Sequence, residues 1–407
     1  MLSFSAIYRY AILILIAGVI IFLSLNPLSE ADFGKRSDEG YSFRYAAMVV
    51  HKGLPAFRDL ISWYASSDEA RKHPSPIRAG YILLCVSLFK FSGHPGISIL
   101  AFISTLSFFF FLYVSFYYVR KYFDLDTSLL TVLFLVSSPL LMGLSRRALA
   151  DSSINLLWGL TVWLFLDVLL KPNRFSYIFF LITLFIAITF KESSLILIPF
   201  FVMAGIVGQR NGAVIKTPQI LGIIFFPLIL IVLFYGWIYG GVGFFKTAII
   251  AFAKTHLASD YPNPYAINYC SGPWFRYLLD FLLLTPIVTL LFVGYVGYLC
   301  IETKAFDFKK MYFLVYFVYV YTILSSLPHS KVIRYVMNLE MVMALFAVLM
   351  LMEVFKTLKG QKKQIFLFFC AFGIFILNWF SFVDLYYHSF LLDPITAYLL
   401  ELRHFIP

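Results

Sequence analysis

The sequence predicts an all-α, polytopic transmembrane protein of about eleven spans, with interfacial helices in a long first outer loop. Three observations carry this. The chain of 407 residues is 61% hydrophobic and 20% aromatic, with only 13% charged residues, far more apolar surface than a soluble domain of this length needs. The apolar residues come in continuous runs long enough to cross a bilayer, not in the short alternating segments of an outer-membrane barrel. Lys and Arg gather in the gaps between those runs.

The eleven runs lie near residues 7–25, 96–119, 127–144, 152–170, 175–190, 193–208, 218–240, 277–300, 311–327, 335–355 and 364–382. The first follows Arg9 and resembles a signal sequence, yet "SLNPLSEADFGKR" offers no small-x-small cleavage site, so it reads as an uncleaved span. With the N-terminus inside, the inner gaps hold Arg120/Lys121, Lys171/Arg174, Arg210/Lys216, Lys304/Lys309/Lys310 and Lys356/Lys359/Lys362/Lys363. All are basic, which predicts an N-inside, C-outside orientation. The same bias accounts for the net charge of +11 and argues against a nucleic-acid partner. Cys85, Cys270, Cys300 and Cys370 lack metal-ligand spacing; Cys85 and Cys270 fall on one face, where they either pair or remain buried thiols.

The outer gaps carry charge that orientation does not require. The first, residues 26–95, holds 16 of the chain's 53 charged residues in 70 positions. A loop of that length in a compact membrane protein usually has a task. It contains two helix-like stretches, "DEGYSFRYAAMVV" and "SPIRAGYILLCVSLFKF", the second amphipathic enough to lie in the interface. The second large outer loop, residues 241–276, is rich in Tyr, Pro and Asn. With no internal repeat and no soluble domain, residues 1–407 read as a single transmembrane domain whose chemistry falls to loops and helix ends.

Five constellations stand out. Ser37 can cap a helix that places Asp38 and Glu39 in its first turn, where the helix dipole favours the ionised form. A carboxylate held there can orient or deprotonate a hydroxyl; the alternative is a pair of capping residues. "SRRALAD" sets Arg146 and Asp151 at an outer span boundary, either as a local ion pair or as a site. "ITFKESS" sets Lys191 and Glu192 between two apolar runs, "PHSKVIRYVMNLE" offers His329, Lys331 and Arg334, and "RKHPSPIR" offers Arg71, Lys72, His73 and Arg78. Basic clusters on the face that also carries a pair of acids point to an anionic lipid headgroup, a phosphate above all.

In this order the motifs resemble the membrane-embedded glycosyltransferases of the GT-C class, nearest to the branch of protein O-mannosyltransferases and lipid A aminoarabinose transferases. Asp38, Glu39 and Ala46 approximate that family's acid-pair element, and His73-Pro74-Ser75-Pro76 approximates its element before an interfacial helix. Ser145, Arg146, Ala148, Leu149 and Asp151 match its S-R-x-A-L-x-D element, Lys191 its lone lysine, and "GPWFRYLLDFLLLTP" with Arg334-Tyr335 its later segments. Two departures are plain: Ser75 interrupts a double proline, and His73 stands where some members have lysine. The likeness is good over residues 1 to about 210 and looser beyond.

The resemblance implies a GT-C-like fold and an inverting transferase that moves a sugar from a polyprenyl-phosphate-linked donor to a hydroxyl of a lipid, glycan or protein acceptor. It implies an integral protein of the prokaryotic plasma (inner) membrane, with its N-terminus cytoplasmic and its active site extracytoplasmic. Displacement at an anomeric carbon needs a carboxylate near the nucleophile and positive charge on the departing phosphate. Asp38 is then the candidate base and Glu39 an orienting acid. Arg146, Lys191 and Arg334 are candidates for the phosphate, with His73 and Asp151 beside them. The sequence requires no cofactor, and a divalent metal, used by some members of the wider class, is compatible with it. The runner-up is a transporter or flippase of lipid-linked sugars, which would carry ionisable residues at mid-membrane beside broken helices.

Overall fold

The computed structural model describes residues 4–35, 37–171, 173–210, 215–256, 264–302, 305, 307–328, 331–387 and 394–405; Lys304 and His329 lie outside the described residues. Among the described residues every regular element is helical, and each of the predicted runs has helix in it. The first run is α1 (Phe4–Leu25). A single 3-10 turn (Glu30–Asp32) leads to α2 (Asp38–Lys52), α3 (Ala56–Ser66), α4 (Asp68–Arg71) and α5 (Ala79–Ser92), so the long segment expected as the first outer loop is itself mostly helix. α6 (Ile97–Tyr122) follows.

The run at 127–144 is divided into α7 (Leu125–Val136) and α8 (Pro139–Ser145), bent by 62°. Pro139 occupies the first position of α8 and the Ser138 hydroxyl accepts from the Leu141 amide at 3.2 Å, so the break is capped as a new helix start. α9 (Asp151–Leu170), α10 (Arg174–Phe190), α11 (Leu197–Arg210) and α12 (Thr217–Ile238) come next, then α13 (Val242–His256) and α14 (Pro264–Tyr269) within the segment 241–276. The run at 277–300 is divided at Thr285 into α15 (Arg276–Leu284) and α16 (Pro286–Ile301). α17 (Phe308–Ser325), α18 (Glu340–Val354), α19 (Gly360–Phe382) and α20 (Pro394–Phe405) complete the chain.

Among the described residues seven helices are long and apolar enough to cross a membrane, eight with the bent pair; Ala79–Ser92, Arg174–Phe190 and Pro286–Ile301 are shorter apolar helices. Ile14, Phe110, Leu233 and Phe369 are exposed. Large apolar side chains turned outward in this way suit hydrocarbon, not water.

The chain forms two compact units. One comprises Met1–Pro27, Thr105–Arg146 and Asn268–Pro407; the other comprises Leu28–Ser104 and Arg147–Ile267. In the first, α18 packs against α16 and α7, and α1 packs against α7 and α19. In the second, α2 packs on α5, α9 on α10, and α10 on α12. Phe165, Phe180 and Phe201 make its aromatic knot, with ring centroids 4.8 to 4.9 Å apart. A Cβ on Gly80 would overlap the Thr189 side chain, so glycine lets the start of α5 lie against the end of α10. That close approach brings the residues flanking Gly80 to those following Thr189.

Candidate active site

The unit of residues 28–104 and 147–267 holds five of the seven expected site residues: Asp38, Glu39, His73, Asp151 and Lys191. α2 begins where expected. Ser37 is its N-cap, accepting from the Glu39 amide at 3.3 Å, and Asp38 and Glu39 lie in its first turn. The two acids then part. Glu39 is only 2% exposed and its carboxylate takes four donors. Arg147 Nε gives to Oε1 at 2.8 Å and Nη2 to Oε2 at 2.6 Å; the Ala148 amide gives to Oε1 at 3.0 Å and the Gly34 amide to Oε2 at 2.9 Å. This is a bidentate, charge-assisted clasp that fastens the start of the first loop to the segment before α9. Asp38, one residue earlier, is half-buried.

Asp38 lies within electrostatic reach of His73, whose ring stacks on Tyr41 with centroids 3.7 Å apart. Burial pushes the His73 pKa below its ordinary value of 6.5, against the pull of Glu69 and Asp38. His73 is therefore neutral at pH 7 and offers a hydrogen bond, not a charge.

The stretch from His73 to Arg78 is fixed by its backbone. Tyr45 donates to the Pro74 carbonyl at 3.0 Å, Tyr239 to the Pro76 carbonyl at 3.4 Å, and Tyr235 to the Ile77 carbonyl. Ser75 is buried, and its hydroxyl accepts from the Ile77 amide at 3.3 Å. The serine that interrupts the double proline thus closes a small turn. At the far end Arg78 forks onto Glu192, with Nε to Oε2 at 3.3 Å and Nη2 to Oε1 at 3.1 Å. We expect Tyr235→Phe to lower stability by about 1 kcal/mol, because it removes one buried hydrogen bond and leaves the Ile77 carbonyl with the Ala79 amide alone. Chemical unfolding of the purified protein measures this, and a wild-type midpoint would contradict it.

Asp151 opens α9 and is bonded by Lys191 Nζ at 2.6 Å; both are buried, 5% and 7% exposed. Lys191 terminates α10, and the next residues turn through a 3-10 segment in which the Ser194 hydroxyl accepts from Trp158 Nε1 at 2.7 Å. Both carboxylates, Glu39 and Asp151, act electrostatically on the buried Tyr81 of α5, so the two ion pairs adjoin one helix.

Arg146 and Arg334 belong to the other unit. Arg146 is 7% exposed, donates through Nε and Nη2 to the Asn26 carbonyl at 3.3 and 3.1 Å, and stacks over Tyr387 at 5.0 Å. Arg334 lies in the 3-10 segment Ile333–Leu339, half-buried, its guanidinium 5.4 Å from the Tyr335 ring centroid. Nearby Lys331 is buried, and its ammonium donates to the Gly272 carbonyl. Cys85 and Cys270, for which the sequence left a pair and buried thiols both open, are buried thiols that form no disulfide; Cys300 is exposed. Among the described residues no three or more His, Cys, Asp or Glu side chains gather as a metal site would require.

Sequence reasoning missed Arg147, the partner of Glu39, and the tyrosine trio. Arg147 was visible as the second member of the "RR" doublet, but nothing in one dimension says which arginine faces which acid. The tyrosines are lost among 27 in the chain.

The fold is one that solved structures share: the chain is similar over most of its length to the membrane proteins ArnT and an archaeal oligosaccharyltransferase. The family model for dolichyl-phosphate-mannose-protein mannosyltransferase matches residues 72–237. ArnT from Cupriavidus metallidurans bound to undecaprenyl phosphate is similar with a TM-score of 0.54 and 14% identity, over 85% of this chain and 60% of that one. Its apo state gives a TM-score of 0.50 and 14% identity, over 83% and 59%. The apo oligosaccharyltransferase of Archaeoglobus fulgidus gives a TM-score of 0.65 and 12% identity, over 95% of this chain and 56% of that one. The chain therefore spans about 60% of the length of these structures. No curated protein matches it.

Proposed function

We propose that the protein is an inverting glycosyltransferase that moves a sugar from a polyprenyl-phosphate-linked donor to an acceptor hydroxyl on the extracytoplasmic face of the membrane. One observation carries the reading: Asp38 stands half-buried at the N-terminus of α2 in a loop clamped by the Glu39–Arg147 clasp. The undecaprenyl phosphate bound by ArnT, a protein of the same fold, supports the choice of donor.

In this reading Asp38 takes the proton of the acceptor hydroxyl as its oxygen attacks the anomeric carbon. The bond from that carbon to the phosphate oxygen breaks, and polyprenyl phosphate departs with the electron pair. Because attack and departure lie on opposite faces, the anomeric configuration inverts. Lys191 serves the departing charge, and neutral His73 serves it by a hydrogen bond. The ammonium of Lys191 is held at the end of α10 by its bond to Asp151, which fixes where its positive charge stands. Glu39 acts through Arg147, holding the loop that presents Asp38.

Release of sugar from a labelled polyprenyl-phosphate donor by the purified protein tests the proposal; a donor returned intact in the presence of lipid, glycan and protein acceptors overturns it. The runner-up, a transporter or flippase of lipid-linked sugars, is favoured by one feature: the acid Glu340 is buried within an apolar helix beside helix breaks. The same assay separates the two, since a transporter leaves the glycosidic bond unbroken.

Two further results are expected. Lys191→Ala alone strands the Asp151 carboxylate, so the informative variant is Asp151→Asn/Lys191→Met, which leaves no buried charge unpaired. It should fold and bind donor roughly 10- to 150-fold more weakly, the loss of a charge-assisted contact of about 1.5–3 kcal/mol. Unchanged donor affinity would return Lys191 to the role of a helix-end anchor. For sidedness, with the exposed Cys300 replaced by serine, Asp68→Cys should react with a membrane-impermeant thiol reagent from outside while Lys362→Cys is protected. The reverse pattern removes the extracytoplasmic site.

A further inference from the structure

Glu340 begins α18 within an apolar stretch, Ile333–Val354, that is long enough to span a membrane, and it is 5% exposed. An acid in such a place is expensive unless something neutralises it. It lines a small cavity with Ser138, Thr285, Leu135, Val288 and Met343 among its neighbours, and among the described residues no basic side chain is in the lining. The space accommodates one water-sized occupant.

Three discontinuities meet here. Ser138 is the N-cap at the 62° bend between α7 and α8, Thr285 divides α15 from α16, and Glu340 stands where the 3-10 segment Ile333–Leu339 becomes α18. Ser138 and the Glu340 carboxyl both line the cavity. Glu340 Oε1 is buried and without a hydrogen-bond partner, as is Oδ1 of the neighbouring Asn338. The polar side-chain atoms lining the cavity are oxygens: one carboxylate and the hydroxyls of Ser138 and Thr285. Thr285 already donates its proton to the Phe281 carbonyl at 3.2 Å, so its lone pairs remain to be used.

We propose that this cavity binds a single small monovalent cation of sodium size, held by Glu340, Ser138 and Thr285. Hard oxygen ligands suit such an ion, and one carboxylate balances one positive charge. A divalent hard cation would ask for further carboxylates, and none lines the cavity. Broken helices beside a buried acid are also how membrane proteins assemble cation sites, because a break frees backbone carbonyls from the helical ladder. Such an ion would tie α7/α8, α15/α16 and α18 together at one point.

The test uses the full chain in detergent at pH 8, with choline chloride exchanged for sodium chloride at constant total salt. Sodium should raise the unfolding midpoint saturably, by about 2–4 °C over choline. Glu340→Gln, which keeps the shape of the neutral acid, should abolish that increment. An equal sodium increment in Glu340→Gln, or none in the wild type, overturns the proposal. Should Glu340→Gln fail to fold, radiolabelled sodium decides: the wild type should retain one ion per chain, displaced by unlabelled sodium and lithium but not by choline. Thr285→Val should then retain sodium at least several-fold more weakly, and equal retention would place the ion elsewhere.

Discussion

Asp38→Asn should lower turnover by roughly 10²- to 10⁴-fold, the usual contribution of general-base assistance, with little change in folding or donor binding. The substitution keeps the shape and the position at the head of α2 while removing basicity. The side chain is half-buried and is not part of the Glu39–Arg147 clasp, so the substitution leaves that clasp in place. Single-turnover rates with saturating donor, alongside donor affinity, measure this. If Asp38→Asn transfers sugar at a near-normal rate, the base is another carboxylate. Glu39 and Asp151 are next in line, and each would first have to leave its ion pair.

Glu39→Gln should act on stability first. It breaks a buried bidentate pair and leaves the Arg147 guanidinium only partly satisfied, a change that costs about 3–5 kcal/mol. Turnover should fall in proportion to the loss of ordered loop, not as a separate chemical step. The double variant Glu39→Met/Arg147→Met removes both charges. It should be destabilised by less than the sum of the two single changes, since no charge is then stranded. Thermal unfolding of the three variants makes the cycle. A Glu39→Gln protein that unfolds at the wild-type midpoint would remove the clasp from the account and restore Glu39 as a ligand of substrate. Asp38 and Glu39 are adjacent in sequence and equal in chemistry, so only the pattern of these two results tells catalyst from fastener.

Much of the fold was legible because its cause is local. Continuous apolar runs dictate membrane helices, Ser37 dictates a helix start, and the "SRRALAD" and "ITFKESS" boundaries do fall at helix ends. Hydropathy could not see the breaks at Ser137–Ser138 and Thr285, because the apolar character continues through them. For that reason a bent pair and a divided run read as plain spans. Glu340 was passed over likewise: one acid in a long apolar run carries no pattern.

The sequence by itself determined the all-helical membrane class, the order of the motifs and the residue types available for charge and proton transfer. Those follow from composition and period, which are properties of the chain in one dimension. The tertiary structure alone decided the partners. It gave Glu39 to Arg147 across 108 residues, Asp151 to Lys191 across 40, and Arg78 to Glu192 across 114. It put Arg146 and Arg334 in a different unit from the acids. Charge pairing in a low-dielectric interior depends on distances of a few ångströms, and separation along the chain does not encode such distances. The helices were written locally, while which basic side chain pairs with which buried acid was decided by packing.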